Sequence, residues 1–295
     1  MKYFINNIIG FFIVVFFLRK RKIIKGKKII SIYFHNPSPV IFEGCIKFLV
    51  KNAYTFLSSE MLEDILINSK AINDKYAVIT FDDGWRDNLK LLPIIERYQV
   101  NITIFISAEP IVSGNYWWEY CEQMDKLKMD MPLSLEELKR VDNGTRLKII
   151  SELKSKVELP RSAMTIEELV QLSTNKYVTI GSHTVNHPIT TMCSDEELKE
   201  EYSGSKKILE DWLKKEIKYF AYPNGDYNSR DFAFLQQAGY SMAYSIICDK
   251  IRPGVDKYQI PRYLINDDGS YYENIAKMFG IWQSFILTRI IQKIK

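Results

Sequence analysis

Histidine is the scarcest chemically active residue in this chain, with three among 295 residues. Cysteine is nearly as thin: Cys45, Cys121, Cys193 and Cys248 stand far apart. No C-x-x-C and no second cysteine pair occurs, which excludes a zinc knuckle and leaves free thiols in a reducing compartment as the simplest reading. Only 13 glycines and no repeat or low-complexity tract are present, so the chain is not collagen-like. A hydrophobic share of 46% with 26% charged residues excludes extended disorder and a coiled coil.

Acidic residues are missing from both ends. Residues 1–28 hold eight basic side chains and no acid, and residues 274–295 hold four basic and no acid. The formal charge of +4 is thus a body of 28 basic and 36 acidic residues between two basic termini. That distribution argues against a broad basic face for nucleic acid and points to an anionic membrane surface touched by both ends. No nucleic-acid partner and no protein partner is expected.

Small residues are absent where a secretory leader would be cut. Ile8 to Leu18 reads I-I-G-F-F-I-V-V-F-F-L, and Arg19-Lys20-Arg21-Lys22 follows. Counted from Tyr3 to Leu18, the segment falls short of the ~20 residues of a comfortable span. A short spanning anchor, a helix lying in the interface and a core helix with a basic linker all remain open. Seven basic residues on its C-terminal side place the body on the cytoplasmic face of a membrane by the positive-inside rule. At the other end Ile281, Trp282, Phe285, Ile286, Ile290, Ile291 and Ile294 recur near helical spacing among Arg289, Lys293 and Lys295. That pattern suits a basic amphipathic helix over 271–295, or a helix packed on the core.

Between the ends, apolar runs predict strands at Ile29–Phe34, Ala77–Phe81, Ile102–Ile106, Val178–Ile180, Tyr219–Tyr222, Ala243–Ile247 and Tyr258–Ile265. Capping boxes at Ser134/Glu137, Thr165/Glu168 and Ser194/Glu197 open helices between them. Alternating strands and helices predict an α/β fold with a parallel sheet, open or closed into a barrel. Residues of about 109–172 leave this rhythm and read as a helical insertion above the C-terminal edge of the sheet.

Three constellations fall at strand ends, where parallel α/β proteins gather their sites. Thr80-Phe81-Asp82-Asp83-Gly84 follows one strand. Two adjacent carboxylates repel each other unless one holds a metal while the other serves as a base; a plain Asp-Asp-Gly turn is the bland alternative. His183-Thr184-Val185-Asn186-His187-Pro188 sets two of the three histidines four residues apart, within reach of one ion. Phe220-Ala221-Tyr222-Pro223-Asn224-Gly225 closes a third strand, and alone it reads as a Pro-Asn-Gly turn.

In this order, T-F-D-D-G, H-T-x-x-H-P and F-A-Y-P-N-G resemble the first three motifs of the polysaccharide deacetylases, the NodB-homology domain of carbohydrate esterase family four. The resemblance covers roughly residues 28–265 and makes 29–270 the catalytic domain, behind a membrane anchor at 1–28. It implies a distorted (β/α)7-type barrel and hydrolysis of N- or O-acetyl groups on a sugar with a bound divalent ion, zinc first. The implied acceptor is an N-acetylated glycan or lipid-linked sugar of a bacterial surface polysaccharide or glycolipid precursor.

By position, Asp82 matches the family's base, and Asp83, His183 and His187 match its metal ligands. Tyr222, Pro223 and Asn224 match its substrate motif, with the Asn224 main chain as oxyanion donor. The Arg that usually begins this third motif, and holds the base, is replaced by Ala221. Arg86 or Arg262 would have to substitute, and Arg262 is favoured by its place at a predicted strand end. The family's late general-acid histidine is also missing. His35, in Tyr33-Phe34-His35-Asn36, resembles the Tyr-x-His opening of a branch acting on poly-N-acetylglucosamine, in which the acid comes from the first strand. Trp117 and Trp118 are candidates for stacking on a sugar, packing under the insertion or dipping into lipid. The rival reading is a carbohydrate-binding pseudoenzyme of the same fold.

Overall fold

The computed structural model describes residues 2–19 and 28–282. Its strands are β1 (Lys28–Phe34), β2 (Thr55–Leu57), β3 (Lys75–Phe81), β4 (Ile102–Ile106), β5 (Val178–Ser182), β6 (Tyr219–Ala221), β7 (Met242–Tyr244) and β8 (Tyr263–Leu264). All pairings between them are parallel, along the path β7-β6-β5-β4-β3-β1-β8. Helices cover the outside, so β4 is buried along its whole length and reads as an unbroken apolar run rather than an alternating one.

The ends of the path are drawn together by residues 260–264. Ser245 N–H donates to the Ile260 carbonyl at 2.9 Å, Arg262 N–H donates to the Ile247 carbonyl at 3.0 Å, and β8 pairs with β1. The result is the expected distorted barrel of seven strands on one path, with an eighth strand beside it. That eighth strand, β2, pairs with Tyr76–Val78 of β3, below the point where β4 joins at Ile79–Phe81. It is three residues long and carries no periodic signal. The expected strand Tyr258–Ile265 shrinks to two residues, because Pro261 has no N–H to give a ladder.

The three capping boxes all form. At Ser194 the backbone N–H donates to Glu197 Oε2 at 2.7 Å, and Glu197 N–H returns to Ser194 Oγ at 3.2 Å. Between β4 and β5 the chain builds helices at Ala108–Ser113, Trp117–Lys126, Leu135–Leu138, Asn143–Lys154 and Ile166–Ser173. Within that segment Trp117, Cys121, Met124, Leu138, Ile150 and Leu153 make an apolar cluster of their own, separate from the barrel core.

The first and last described helices meet on one side of the barrel. The helix Lys2–Arg19 lies against the helix Tyr271–Met278. Gly10 sits so close to it that a Cβ there would stand 2.6 Å from the Glu273 nitrogen. Asn6 Nδ2 donates to Glu273 Oε2 at 3.0 Å, and Tyr272 N–H donates to Asn7 Oδ1 at 3.3 Å. Ile13 and Val14 are buried, whereas Ile5, Ile8, Phe12 and Phe16 are exposed. Among the described residues no helix is long and apolar enough to cross a membrane. Of the expected C-terminal helix, Tyr271–Met278 is core-packed through Ile275, Ala276 and Met278, and Ile281 and Trp282 also pack on the core. Phe285, Ile286, Ile290, Ile291 and Ile294 lie outside the described residues.

Candidate active site and metal centre

β3 ends in Phe81, and the next three residues turn sharply out of the sheet. Asp82 N–H donates to the Phe34 carbonyl at 3.0 Å; Asp83 and Gly84 follow with φ of +75° and +96°. Glycine takes that left-handed conformation freely, whereas Asp83 takes it at a cost. The turn sends the two adjacent carboxylates to different partners. Asp82 receives a two-pronged guanidinium from Arg262, at 2.7 Å and 2.9 Å, and Arg262 also donates to Thr80 Oγ1 at 2.9 Å. Burial raises the Asp82 carboxyl, but the charge and hydrogen bonds of Arg262, with His183 and His35 beside it, together outweigh burial and hold the group below its ordinary value. Arg86, the other candidate, pairs with Glu168 at 2.7 Å instead. Of the two candidates it is thus Arg262, next to β8, that reaches Asp82.

Asp83 faces the histidines. Its Oδ1 lies 3.5 Å from His183 Nε2 and 3.4 Å from His187 Nε2, while Trp85 Nε1–H donates to Oδ2 at 2.9 Å. All three ligand-bearing residues are buried, and their donor atoms lie within 4.8 Å of one another. His183 Nδ1 is 2.8 Å from the Ala221 carbonyl and must be the protonated nitrogen, which leaves a lone pair on Nε2. Burial depresses this ring to about 4, so it is neutral at pH 7. A neutral imidazole lone pair aimed at a carboxylate sets two acceptors face to face, and a cation between them relieves it. The residues therefore fit a divalent ion held by one carboxylate oxygen and two Nε2 atoms, a three-ligand set that keeps a position open.

The loop that carries the histidines is held from two sides. Thr184 and His187 have φ of +71° and +48°. Glu201 lies in a π-type turn, Glu200–Gly204, inside the helical stretch from Asp195 to Leu213. Its carboxylate accepts from Val185 N–H at 2.8 Å, Asn186 N–H at 2.9 Å and Asn186 Nδ2 at 2.7 Å. From the opposite side, Trp117 Nε1 and Arg146 Nη1 both donate to the His187 carbonyl at 3.1 Å.

His35 directly follows β1 at the rim, with its side chain 39% exposed and Nδ1 3.9 Å from Asp267 Oδ2. Asp267 accepts the Asn36 N–H at 2.8 Å, and Asn88 Nδ2 donates to the His35 carbonyl at 2.9 Å, so the main chain at His35 is fixed. Together Tyr33, His35, Asp82, Asp83, Trp85, Trp118, His183, His187, Tyr222 and Asn224 line one cleft of about 390 Å³. Trp118 stacks on Tyr116 and meets the His187 ring edge-on at 4.7 Å. Trp117 contributes only an edge to the cleft, since its N–H is spent on His187 and its face on Arg146. Tyr222 is buried with its hydroxyl donated to the Tyr258 carbonyl at 3.0 Å, and Pro223 does not reach the cleft wall. Asn224 has φ of +54°, which turns the chain at the rim.

A family model described as polysaccharide deacetylase matches residues 69–243. The chain belongs to the polysaccharide deacetylase family. A curated member, the poly-β-1,6-N-acetyl-D-glucosamine N-deacetylase of Staphylococcus aureus, is 26% identical over 284 residues, covering 96% of this chain and 79% of that one. Bacillus subtilis YxkH, which carries the polysaccharide deacetylase name, is 23% identical over 202 residues; the match covers 68% of this chain and 55% of YxkH. This deacetylase-family chain thus spans about half of that relative. The Streptococcus pyogenes deacetylase PplD, solved with acetate, superposes with a TM-score of 0.64 at 18% identity over 85% of this chain and 98% of its own, a likeness of fold.

Several site residues carry no local signal in the sequence. Trp85 adjoins the Asp-Asp-Gly motif, but Asp267, Glu201 and Arg146 stand in ordinary charged stretches, and only the tertiary fold brings them to the site.

Proposed function

We propose that this chain removes acetyl groups from an N-acetylated sugar of a bacterial surface glycan or its lipid-linked precursor. The observation that carries the reading is the division of labour between Asp82 and Asp83. One carboxylate is clamped ionised by Arg262, and the other is turned toward two histidines, in one cleft. A divalent ion bound by Asp83, His183 and His187, zinc first among the candidates, would polarise the acetyl carbonyl and make a water acidic enough to attack. Asp82 accepts the proton of that water. His35, at the rim, gives a proton to the departing nitrogen as the C–N bond breaks, so the products are acetate and the free amine. The Asn224 main chain is the candidate donor to the oxyanion.

A polymer is favoured over a single sugar, because a second cavity of about 450 Å³ adjoins the cleft and shares Trp85 and Glu122 with it. Trp118 presents a partly exposed ring to the cleft, suited to the apolar face of a pyranose. The name of the Staphylococcus aureus relative, a poly-N-acetylglucosamine N-deacetylase, supports the same class. Purified full-length chain should bind about one transition-metal ion and release acetate from N-acetylglucosamine oligomers. Stoichiometric metal with no acetate from any N- or O-acetylated glycan would leave the binding-protein reading standing.

The helix Lys2–Arg19 is proposed to lie in the surface of an anionic membrane, with the body on the cytoplasmic side. Its apolar outer face and the seven basic residues that follow support this. Protease added to intact spheroplasts should leave the body uncut, and degradation without lysis would reverse the sidedness.

A further inference from the structure

His183 and His187 are the same residue type at one site, yet they are held by different means. His183 has the usual arrangement: its second ring nitrogen bonds to the Ala221 carbonyl at 2.8 Å, fixing tautomer and ring orientation together. The second ring nitrogen of His187, Nδ1, is buried without a hydrogen-bond partner among the described residues. What orients His187 is instead attached to its main chain and to its ring edge. Its carbonyl takes two N–H donors, from Trp117 and Arg146, and its ring abuts Trp118. All three come from the segment between β4 and β5, whose apolar cluster is separate from the barrel core.

Arg146 is an expensive way to make one hydrogen bond. It is 1% exposed, and no carboxylate lies within ion-pair distance of it among the described residues. Its partners are the His187 carbonyl, Asn143 Oδ1 at 2.7 Å and the face of Trp117, 5.1 Å away. A buried cation without a direct counter-charge destabilises a domain. An apolar side chain would fill the space between the two clusters with less penalty, so Arg146 is explained by what it holds. His187 sits at φ +48°, a conformation a non-glycine residue keeps only when its surroundings impose it.

Resting on the reading of His187 as a metal ligand, we propose that Trp117 and Arg146 are positioning residues which make the inserted helices part of the metal centre, acting on His187 through its main chain.

The test uses the full chain with Trp117→Phe, which deletes the indole N–H but keeps an aromatic ring, and with Arg146→Met, which removes the guanidinium but keeps apolar bulk. Zinc affinity is measured by competition with a chromophoric chelator, and the cobalt-substituted absorption spectrum is recorded. Amide hydrogen exchange is followed across residues 183–189 of the metal-free protein. Loss of an outer-sphere partner weakens metal binding by roughly 10–100-fold. That range is expected for Arg146→Met, with a smaller loss for Trp117→Phe, a shifted cobalt spectrum and faster exchange in the 183–189 loop for both. Wild-type affinity, spectrum and loop exchange in both variants would overturn the proposal, whatever happens to the melting temperature. If the wild-type chain bound no metal, the deacetylase reading would fall. The exchange measurement would still decide whether the inserted helices hold the loop.

Discussion

Asp83→Ala is expected to abolish metal binding and all turnover. Two imidazoles would remain of a three-ligand set, and Trp85 would lose the acceptor for its indole N–H. Losing an outer-sphere partner alone costs roughly 10–100-fold in affinity, so losing a direct carboxylate ligand should cost more than about 100-fold. The metal-free variant should still fold, because the change removes a buried charge along with the Trp85 hydrogen bond. The measurement is a pair of melting curves, with and without zinc. Wild type should gain stability on adding the ion, as any ligand that binds only the folded state confers, and Asp83→Ala should not. A zinc-dependent shift retained in the variant would sink the assignment of the site.

Asp82→Asn should behave in the opposite way: metal kept, turnover lost. Asparagine preserves the shape but cannot accept the proton, and a general base is worth roughly 100- to 10,000-fold in rate. Arg262→Met is the companion variant, since it removes the group that keeps Asp82 ionised. Breaking one side of a buried ion pair costs about 3–5 kcal/mol, most of it from the carboxylate left unpaired. The sign with pH follows from the direction of the shift. Asp82 is held below its ordinary value in the folded protein, so its contribution to stability is present above the unfolded value and is lost as pH falls through the folded one. Without Arg262 burial is opposed only by His183 and His35 and the value rises, moving the acidic limb of the kcat/KM profile to higher pH. A limb that stays in place in Arg262→Met would remove Arg262 from the mechanism.

Those two carboxylates were legible because their roles are set by a local turn. Asp82-Asp83-Gly84 follows a strand, and a tight turn must separate neighbouring side chains. The histidine pair was legible for the same reason, as four residues is the reach of one loop. Arg262 was the better guess of two because it fell near a strand end, although the strand itself shrank to Tyr263–Leu264. Glu201 was not legible. It stands in the run Glu196-Glu197-Leu198-Lys199-Glu200-Glu201, which reads as a solvated helix face until a π-type turn brings it under the histidine loop. Arg146 was hidden likewise, in the helix Asn143–Lys154, which shows no clear apolar stripe because part of its buried face is polar. Trp117 and Trp118 could not be told apart by sequence. Adjacent helical positions point about 100° apart, and only packing shows which ring turns inward.

The way the sheet closes has a consequence for when the protein can work. Where a full ladder would zip such a barrel shut, here the zip is four backbone hydrogen bonds between residues 243–247 and residues 257–262, before β8 takes over. Arg262 is the last tooth. Its main chain bonds to Ile247, its Nε bonds to the Ser245 carbonyl at 3.0 Å, and its outer nitrogens reach across to Asp82. Parting residues 257–262 from residues 243–247 would draw the guanidinium away from Asp82, whereas Asp83, His183 and His187 are held by Ser107, Ala221, Trp117 and Arg146, none of them in the seam. Fraying of one short seam would then free the carboxylate of the base and leave the three candidate ligands where they are.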